Sequence, residues 1–510
     1  MYKETLYNCV SSLVYLRNKT NNRVYVYTNE RNGERNGRPT YVRRCIGHLD
    51  EDTGEIVPNT PRSDSPKAEL RFTGLSKAIM DISDRIGLSD SLKVTFGPIW
   101  KDILTCAMYG LTGNADLSSI ERWSSRFDTP SGRVLRKDDV ESLLTTINYD
   151  DIEIFQRIWR KKVKDRRIYH ISISPSMSFD IRDFSPKTEY GRLYSMPTMD
   201  MDIVYGMDSL LPISYEILPG KVMSLEDIIT SEDRYQWINP TDTEYILNEE
   251  YCTGNNVDVL VVSDRRFVIR LPSNHRILKS AMGDMQDEIM RYSNYKHSRG
   301  GYNFINTESV EIAHKNCYMH IYYSAEEAEK EMGTFLAILD RCRVELSTDH
   351  LVSAHTELYG KYFNMNGPDM EVELNSTSIM ETTKYAGMTV ILSDCVVDPV
   401  KAMDCFKMNS FAERTFDNIF NNVDHLGLKL YLRHNMISRY FIQFVTLILK
   451  SSIRKSMIDN NLHRDHTVED LVRSLSNLAT VSLSDRRRPL GMDVDHLQRL
   501  FLETIGTTFD

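Results

Sequence analysis

The sequence predicts an α/β protein in which a mixed sheet is flanked by helices. Three observations lead to this prediction. Short β-like runs follow Arg167, at residues 202–205, 212–217 and 267–271. Before them, between residues 75 and 108, apolar side chains recur at helical spacing. After Pro399 the pattern is again helical almost to the last residue.

Composition indicates an ordinary globular protein with room for about three domains. Of its 510 residues, 41% are hydrophobic and 26% are charged, which excludes the disordered and fibrous classes. The eight cysteines are scattered without a CxxC pair, which argues against a zinc site and against a disulfide scaffold. No apolar run is long enough to cross a membrane and the first residues do not resemble a signal peptide, so we expect a cytoplasmic protein.

The charge distribution restricts where nucleic acid could bind. Because the formal net charge is -10, the chain as a whole does not attract DNA, and binding must depend on local basic surface. Residues 1–48 contain few acids and the following bases: Lys3, Arg17, Lys19, Arg23, Arg31, Arg35, Arg38, Arg43 and Arg44. Residues 23–27 and 40–47 read as the arms of a β-hairpin around a Gly- and Asn-rich loop. We interpret residues 1–66 as a DNA-binding hairpin; the alternative is an edge hairpin with merely solvated arginines.

The remaining patterns divide the chain into five further segments. Residues 67–163 form a helical domain whose apolar stripes are core, and residues 164–278 hold the first part of the sheet. Residues 279–390 are predicted to be a β-rich insertion. Residues 391–450 return to the sheet and add a helix, and residues 451–510 form a C-terminal helical region.

Glu413 is the most informative single residue. On a helix it lies within about 60° of an apolar stripe made by Ala402, Phe406, Phe416, Phe420 and Val423. An unpaired buried carboxylate is costly, so a metal ion or a cation is its expected partner. The alternative is a glutamate at the rim of the stripe that reaches water.

Asp180 is the second candidate, in a strand-like run at residues 176–181. A lone aspartate at a strand end is commonly a turn former, which is the alternative to a catalytic role. Carboxylates from a distant strand and helix could also meet on a pair of magnesium ions, the arrangement that phosphodiester chemistry requires. A basic and aromatic stretch at residues 291–302 could contact a nucleic acid backbone, or could be an ordinary surface loop.

Residues 398–420 resemble the signature helix of DDE-class insertion-sequence transposases. In that family a Tyr, an Arg, the catalytic Glu and a Lys recur at fixed spacing, and these positions here hold Phe406, Asn409, Glu413 and Phe420. Other blocks are similar to the family in the same order along the chain, at residues 43–55, 179–181, 211–220, 267–273 and 387–393.

The resemblance implies a ribonuclease-H-like catalytic core with a β-rich insertion behind an N-terminal DNA-binding region. Asp180 would be the first catalytic aspartate, and Asp180 and Glu413 would ligate two Mg²⁺ or Mn²⁺ ions. The implied partners are terminal inverted repeats and target DNA, bound by a homodimer. The residues implied to contact DNA are Arg43, Arg44, Lys407, Asn409 and Arg414.

The second catalytic aspartate is where the sequence departs from the family. Counted back from the strand at residues 267–271, its position falls on Asn248, and an amide lacks the negative charge that helps to hold divalent cations. An alternative alignment uses Asp264 but leaves no room for the intervening helix. The expected function is therefore cut-and-paste DNA transposition, with Asp264 or Asp202 replacing the lost ligand. The alternative is a transposase-derived protein that binds terminal repeats without cleaving them.

Overall fold

The computed structural model describes most of the chain. The described residues are 13–18, 23–35, 38–50, 53–59, 68–113, 117–173, 199–219, 242–252, 256–272, 289, 291–295, 304–348, 350–352, 355–366, 371–416, 433–483 and 490–509. They belong to two compact units, one comprising residues 1–70 and 481–490 and the other residues 71–480 and 491–510. Within the described residues, no helix is both long and apolar enough to cross a membrane.

The N-terminal unit is a four-stranded antiparallel sheet with the strands in chain order. Its strands are β1 (Leu13–Arg17), β2 (Val24–Arg35), β3 (Arg38–Leu49) and β4 (Ile56–Pro58). The predicted hairpin is confirmed as the β2–β3 pair, but its arms are longer than the sequence pattern indicated. Pairing continues to Arg35 and Arg38, beyond the β-like runs at residues 23–27 and 40–47.

Strand β5 (Ala68–Phe72) spans the boundary between the two units, and the predicted helical segment of the second unit follows it. The helices are α1 (Gly74–Ile86), α2 (Leu88–Phe96), α3 (Trp100–Leu111), α4 (Ile120–Ser124), α5 (Lys137–Thr146) and α6 (Tyr149–Val163). Their apolar stripes are core, as predicted. Helix α6 starts where the Asn148 side chain accepts a hydrogen bond from the Asp151 amide, and the Trp159 indole donates to the Pro212 carbonyl.

The sheet and its connections follow. The next elements are β6 (Ile168–Ile173), β7 (Met199–Gly206), β8 (Pro212–Pro219), β9 (Thr243–Leu247), α7 (Asn256–Val262), β10 (Arg266–Leu271), β11 (Phe304–Ile312) and β12 (Lys315–Tyr323). Then come α8 (Ala325–Ser347), α9 (Thr356–Tyr362), β13 (Phe363–Asn366), β14 (Glu371–Leu374), α10 (Ser376–Thr383) and β15 (Met388–Ser393). The chain continues with α11 (Pro399–Phe416), α12 (Arg433–Asp459), α13 (Val468–Ser476), β16 (Ala479–Leu483), β17 (Leu490–Gly491) and α14 (His496–Ile505).

The large sheet has eight strands in the order β11-β12-β15-β10-β9-β6-β7-β8. Strand β9 is parallel to both β6 and β10, and the other neighbours are antiparallel. All five residues of β9 are buried, as expected for a parallel strand covered on both faces. The predicted mixed sheet flanked by helices is thus present.

The two faces of the sheet have different neighbours. Ile171, Ile246 and Val268 lie in one apolar cluster with residues of α11 and α12, so we call this side the helix face. Tyr245 and Phe267, one position away on β9 and β10, belong to a separate cluster on the opposite face. This alternation determines which side chains can share a site with Glu413.

The segment predicted as a β-rich insertion differs from that expectation. Strand β11 is an edge strand of the large sheet and β12 lies next to it, and the described residues that follow form three helices and the small β13–β14 pair. A periodicity of two identifies a strand, but it does not identify the sheet to which that strand hydrogen-bonds. The predicted strand at residues 176–181 lies outside the described residues, and the domain boundaries stay predictions.

Candidate functional site at the carboxyl end of the parallel strands

The candidate site lies where the parallel strands β6 and β9 end beneath α11. Asn248 follows β9 directly, with an extended backbone (φ -79°, ψ 168°). Ile246 faces α11, so the alternation along the chain brings Asn248 to the same face. By the same alternation, Ile173 ends β6 on the helix face. The two positions at the carboxyl ends of this strand pair therefore hold an amide and an alkyl group.

Arg270 supplies a positive charge at this edge of the sheet. It lies on β10 one position beyond the Ile269–Leu247 pair, beside Asn248. Its guanidinium carbon is 5.7 Å from the centre of the Phe406 ring on α11, so its side chain is on the helix face. Its Nε is 3.4 Å from a carboxylate oxygen of Glu249. The arginine and Glu249 form an ion pair at a place where the family resemblance predicts metal ligands.

Glu413 is half-buried on α11, and its neighbours in the predicted stripe, Ala402 and Phe416, are buried. It is seven residues from Phe406, so both lie on one side of the helix, roughly 10 Å apart along its axis. Asp180 and Phe420 lie outside the described residues. Their predicted roles, and the meeting of Asp180 with Glu413, stay predictions.

Asp264, the alternative second carboxylate, lies at the other edge of the sheet. It precedes β10, whereas Asn248 follows the parallel strand β9, so the two are separated by roughly 20 Å, the length of a six-residue strand. Its side chain is exposed and forms an ion pair with Lys315 at 2.8 Å. The hydrogen bond from Lys315 lowers the pKa of Asp264. Because β9 and β10 are parallel, Asp264 lies at the opposite end of this strand pair from Asn248, and its role as the second catalytic carboxylate stays a prediction.

Asp202, also considered as a replacement ligand, faces away from α11. It pairs in register with Ser172 on β7 and β6, and its carboxylate is 3.4 Å from Nε2 of the buried His170. The His170 ring lies 5.3 Å from the ring of Tyr245, which belongs to the cluster of the opposite face. The sheet itself separates Asp202 from Glu413.

The residues implied to contact DNA differ in accessibility. Arg43, Arg44 and Arg414 are exposed, and Lys407 is half-buried. The DNA contact of Asn409 stays a prediction, and its side chain is 0% exposed in the structure. The reason is its position on the buried side of α11, one turn from Cys405.

A basic cluster between α11 and α12 was not predicted. Burial lowers the pKa of both Lys450 and Arg454, and the nearby positive charge of Arg414 lowers each further. Arg454 lies 4.9 Å from the centre of the Phe411 ring, and Lys450 is 3.5 Å from Glu469. The sequence signal was the spacing of Lys450 and Arg454, four residues apart on one side of a helix.

Comparison with solved structures gives a distant similarity. No protein-family model matches the chain, and no curated protein matches its sequence. Among solved structures, it is similar to the cryo-EM structure of a piggyBac transposase synaptic complex with hairpin DNA. The identity is 8% and the TM-score is 0.30, over 79% of this chain and 76% of that chain. A similarity this low does not assign a role to any residue.

Proposed function

We propose that this chain is a transposase-derived DNA-binding protein whose strand-cleaving centre is incomplete. The observation that supports this most directly is the pair Asn248 and Arg270 at the carboxyl end of β9 and β10. In an active member of the family, this place holds a carboxylate. Here the amide removes a negative charge, and the neighbouring carboxylate of Glu249 is paired with the Arg270 guanidinium.

The order of the strands supports a ribonuclease-H-like core. The five strands from β6 to β10 lie in the order β8-β7-β6-β9-β10. Neighbours among β8, β7 and β6 are antiparallel, whereas β9 is parallel to β6 and β10 is parallel to β9. A ribonuclease-H-like fold has this order of strands. The similarity of the sequence to DDE transposases predicts the same core.

The described residues at this edge do not fit a pair of divalent cations. Such ions prefer several carboxylate oxygens, and a nearby guanidinium repels them. In the described part of the chain, Glu413 belongs to no group of three or more side chains that could hold a metal ion. An incomplete metal centre would prevent cleavage of phosphodiester bonds by two metal ions, whereas binding to DNA does not require such a centre.

Exposed and clustered bases support the binding half of the proposal. Arg43 and Arg44 lie on the exposed part of β3, and Arg414 is exposed on α11, beside the buried Lys450 and the half-buried Arg454 of α12. Positive side chains of this kind neutralise phosphates and release counterions, which is the main source of sequence-independent affinity. We propose double-stranded DNA with terminal repeats as the partner, bound by a homodimer.

The test compares binding and cleavage of DNA that flanks the coding sequence, with Mg²⁺ or Mn²⁺. We expect the wild type to bind without cutting. The double variant Asn248→Asp/Arg270→Ala should gain metal-dependent nicking, and adding Glu413→Gln should abolish that gain. Asp264→Asn is the matched control, because it removes a carboxylate at the other edge of the sheet.

Two outcomes would contradict the proposal. Efficient cutting by the wild type that Glu413→Gln abolishes would identify an active transposase. Absence of DNA binding by the folded wild type would exclude both the active transposase and the DNA-binding protein that does not cut. Circular dichroism of each variant separates loss of function from loss of folding.

A further inference from the structure

Helices α8, α9 and α10 enclose a small core of their own, away from the large sheet. The buried members are Leu339, Cys342, Tyr359, Tyr362 and Phe363. At one side of this core, three side chains of different chemistry meet: the thiol of Cys342, the carboxylate of Glu345 and the imidazole of His355. Their ligand atoms all lie within 4.8 Å of one another.

The secondary structure explains why these three side chains converge. Cys342 and Glu345 are three residues apart on α8, so they lie on the same side of the helix one turn apart. His355 comes from the segment just before α9, and its Nδ1 is 2.7 Å from a Glu345 oxygen. Cys342 is 0% exposed, and the side chains of Glu345 and His355 are 12% and 21% exposed. The thiol is therefore buried, and the other two side chains reach the surface.

We propose that Cys342, Glu345 and His355 form a binding site for a zinc-like divalent cation, with water in the fourth position. Thiolate, imidazole and carboxylate are the groups that bind zinc in proteins. Three such ligands and a water molecule complete a tetrahedral coordination shell. Magnesium and calcium prefer oxygen ligands alone, so the thiol selects against them. This site is independent of the carboxyl end of the parallel strands.

The surroundings suit a metal site. The Tyr359 hydroxyl donates a hydrogen bond to the same Glu345 oxygen and accepts one from the Val352 amide. A ligating carboxylate is commonly held by such a second partner, which orients it towards the metal. Ligand atoms on a tetrahedral zinc ion are roughly 3.3–3.8 Å apart, so the Glu345 and His355 atoms need to separate by only about 1 Å. The ion would replace their hydrogen bond.

A metal would also supply stability that this part of the chain lacks. A core of so few buried side chains contributes little free energy, and small cores commonly depend on a metal or a disulfide. The scattered cysteines predicted no zinc site, because the usual spacing rule detects pairs of cysteines. A ligand set with one cysteine, taken from one turn of α8 and the segment before α9, contains no such pair.

The test uses the full-length chain, stripped of metal with a chelator and then titrated with Co²⁺ or Zn²⁺. We expect one ion per chain and a cobalt spectrum with a thiolate-to-metal charge-transfer band. Cys342→Ser should abolish that band, and His355→Gln should weaken binding strongly. Tyr359→Phe should weaken it by about 10–100-fold, the usual effect of losing an outer partner.

Two control variants make the result specific. Cys317→Ser removes a buried cysteine on β12, and His350→Gln removes an exposed histidine near the same loop. Both should bind cobalt like the wild type, and zinc should raise their melting temperatures equally. No stoichiometric binding to the wild type, or an unchanged cobalt band in Cys342→Ser, would overturn the proposal. If Cys342→Ser does not fold, His355→Gln and Tyr359→Phe decide.

Discussion

Removal of Arg43 or Arg44, one at a time, tests how the N-terminal sheet meets DNA. The two residues are adjacent on β3, where Arg43 lies opposite Asn29 and Arg44 opposite Thr28. Consecutive side chains of a strand point to opposite faces, and both arginines are exposed. Because one face of a sheet lies against a duplex, we expect only one of the two arginines to contact a phosphate.

The expected magnitude follows from counterion release. Each neutralised phosphate contributes about 0.9 to the slope of log K against log salt concentration, or about 3.5-fold in affinity over a fourfold range of salt. In one variant, either Arg43→Ala or Arg44→Ala, the magnitude of the negative slope should decrease by about 0.9. In the other variant the slope should stay unchanged. The double variant should have the same slope as the more affected single variant.

Fluorescence anisotropy with double-stranded DNA across a range of salt concentrations measures these slopes. Arg122→Ala is the matched control, because it removes one exposed arginine from α4 and changes the net charge equally. Equal reductions in both single variants would refute the argument from strand geometry. Unchanged slopes in both would show that this hairpin does not contact the DNA backbone.

Three further predictions concern stability, each measured by denaturant unfolding. Burial lowers the pKa of His320 from its ordinary value of 6.5, so folding favours the neutral ring. The free energy of unfolding should therefore be highest above pH 6.5 and should fall below it. Between pH 8 and about 5.5, His320→Gln should lose less of this free energy than the wild type. An equal loss in both proteins would contradict this. Trp159→Phe removes a buried indole hydrogen bond and should cost about 1–3 kcal/mol more than Trp123→Phe, whose indole nitrogen has no hydrogen-bond partner among the described residues. Similar costs in the two variants would disprove the assignment. Gly387→Ala introduces a Cβ that collides with a neighbouring carbonyl at φ 73°, whereas Gly132→Ala, at φ 67°, meets open space. The first should cost clearly more than the roughly 1 kcal/mol of backbone strain expected for the second, and equal costs would show that the collision is relieved.

Local patterns predicted much of the secondary structure. The helices of residues 74–163 and the strands β7, β8 and β10 follow from spacing, because an apolar period identifies the buried face of each element. Glu413 was predicted to interrupt an apolar stripe, and its half-buried position on α11 agrees with this. These features depend on neighbours a few residues away.

The choice between Asn248 and Asp264 needed the tertiary structure. Both stand near a strand, and the sequence alone left the two alignments open. Parallel pairing of β9 with β10 places Asn248 and Asp264 at opposite edges of the sheet. Likewise, only the register of β6 with β7 shows that Asp202 faces away from α11.

The sequence by itself determined an α/β chain with a basic hairpin at its start and a glutamate on an apolar helix near residue 413, because these are properties of local periodicity and charge. Only the tertiary structure decided what surrounds each of them. It placed Arg270 against Phe406 beside Asn248, buried Asn409, and brought Cys342, Glu345 and His355 together. These contacts depend on strand pairing and helix packing, which local periodicity in the sequence does not determine.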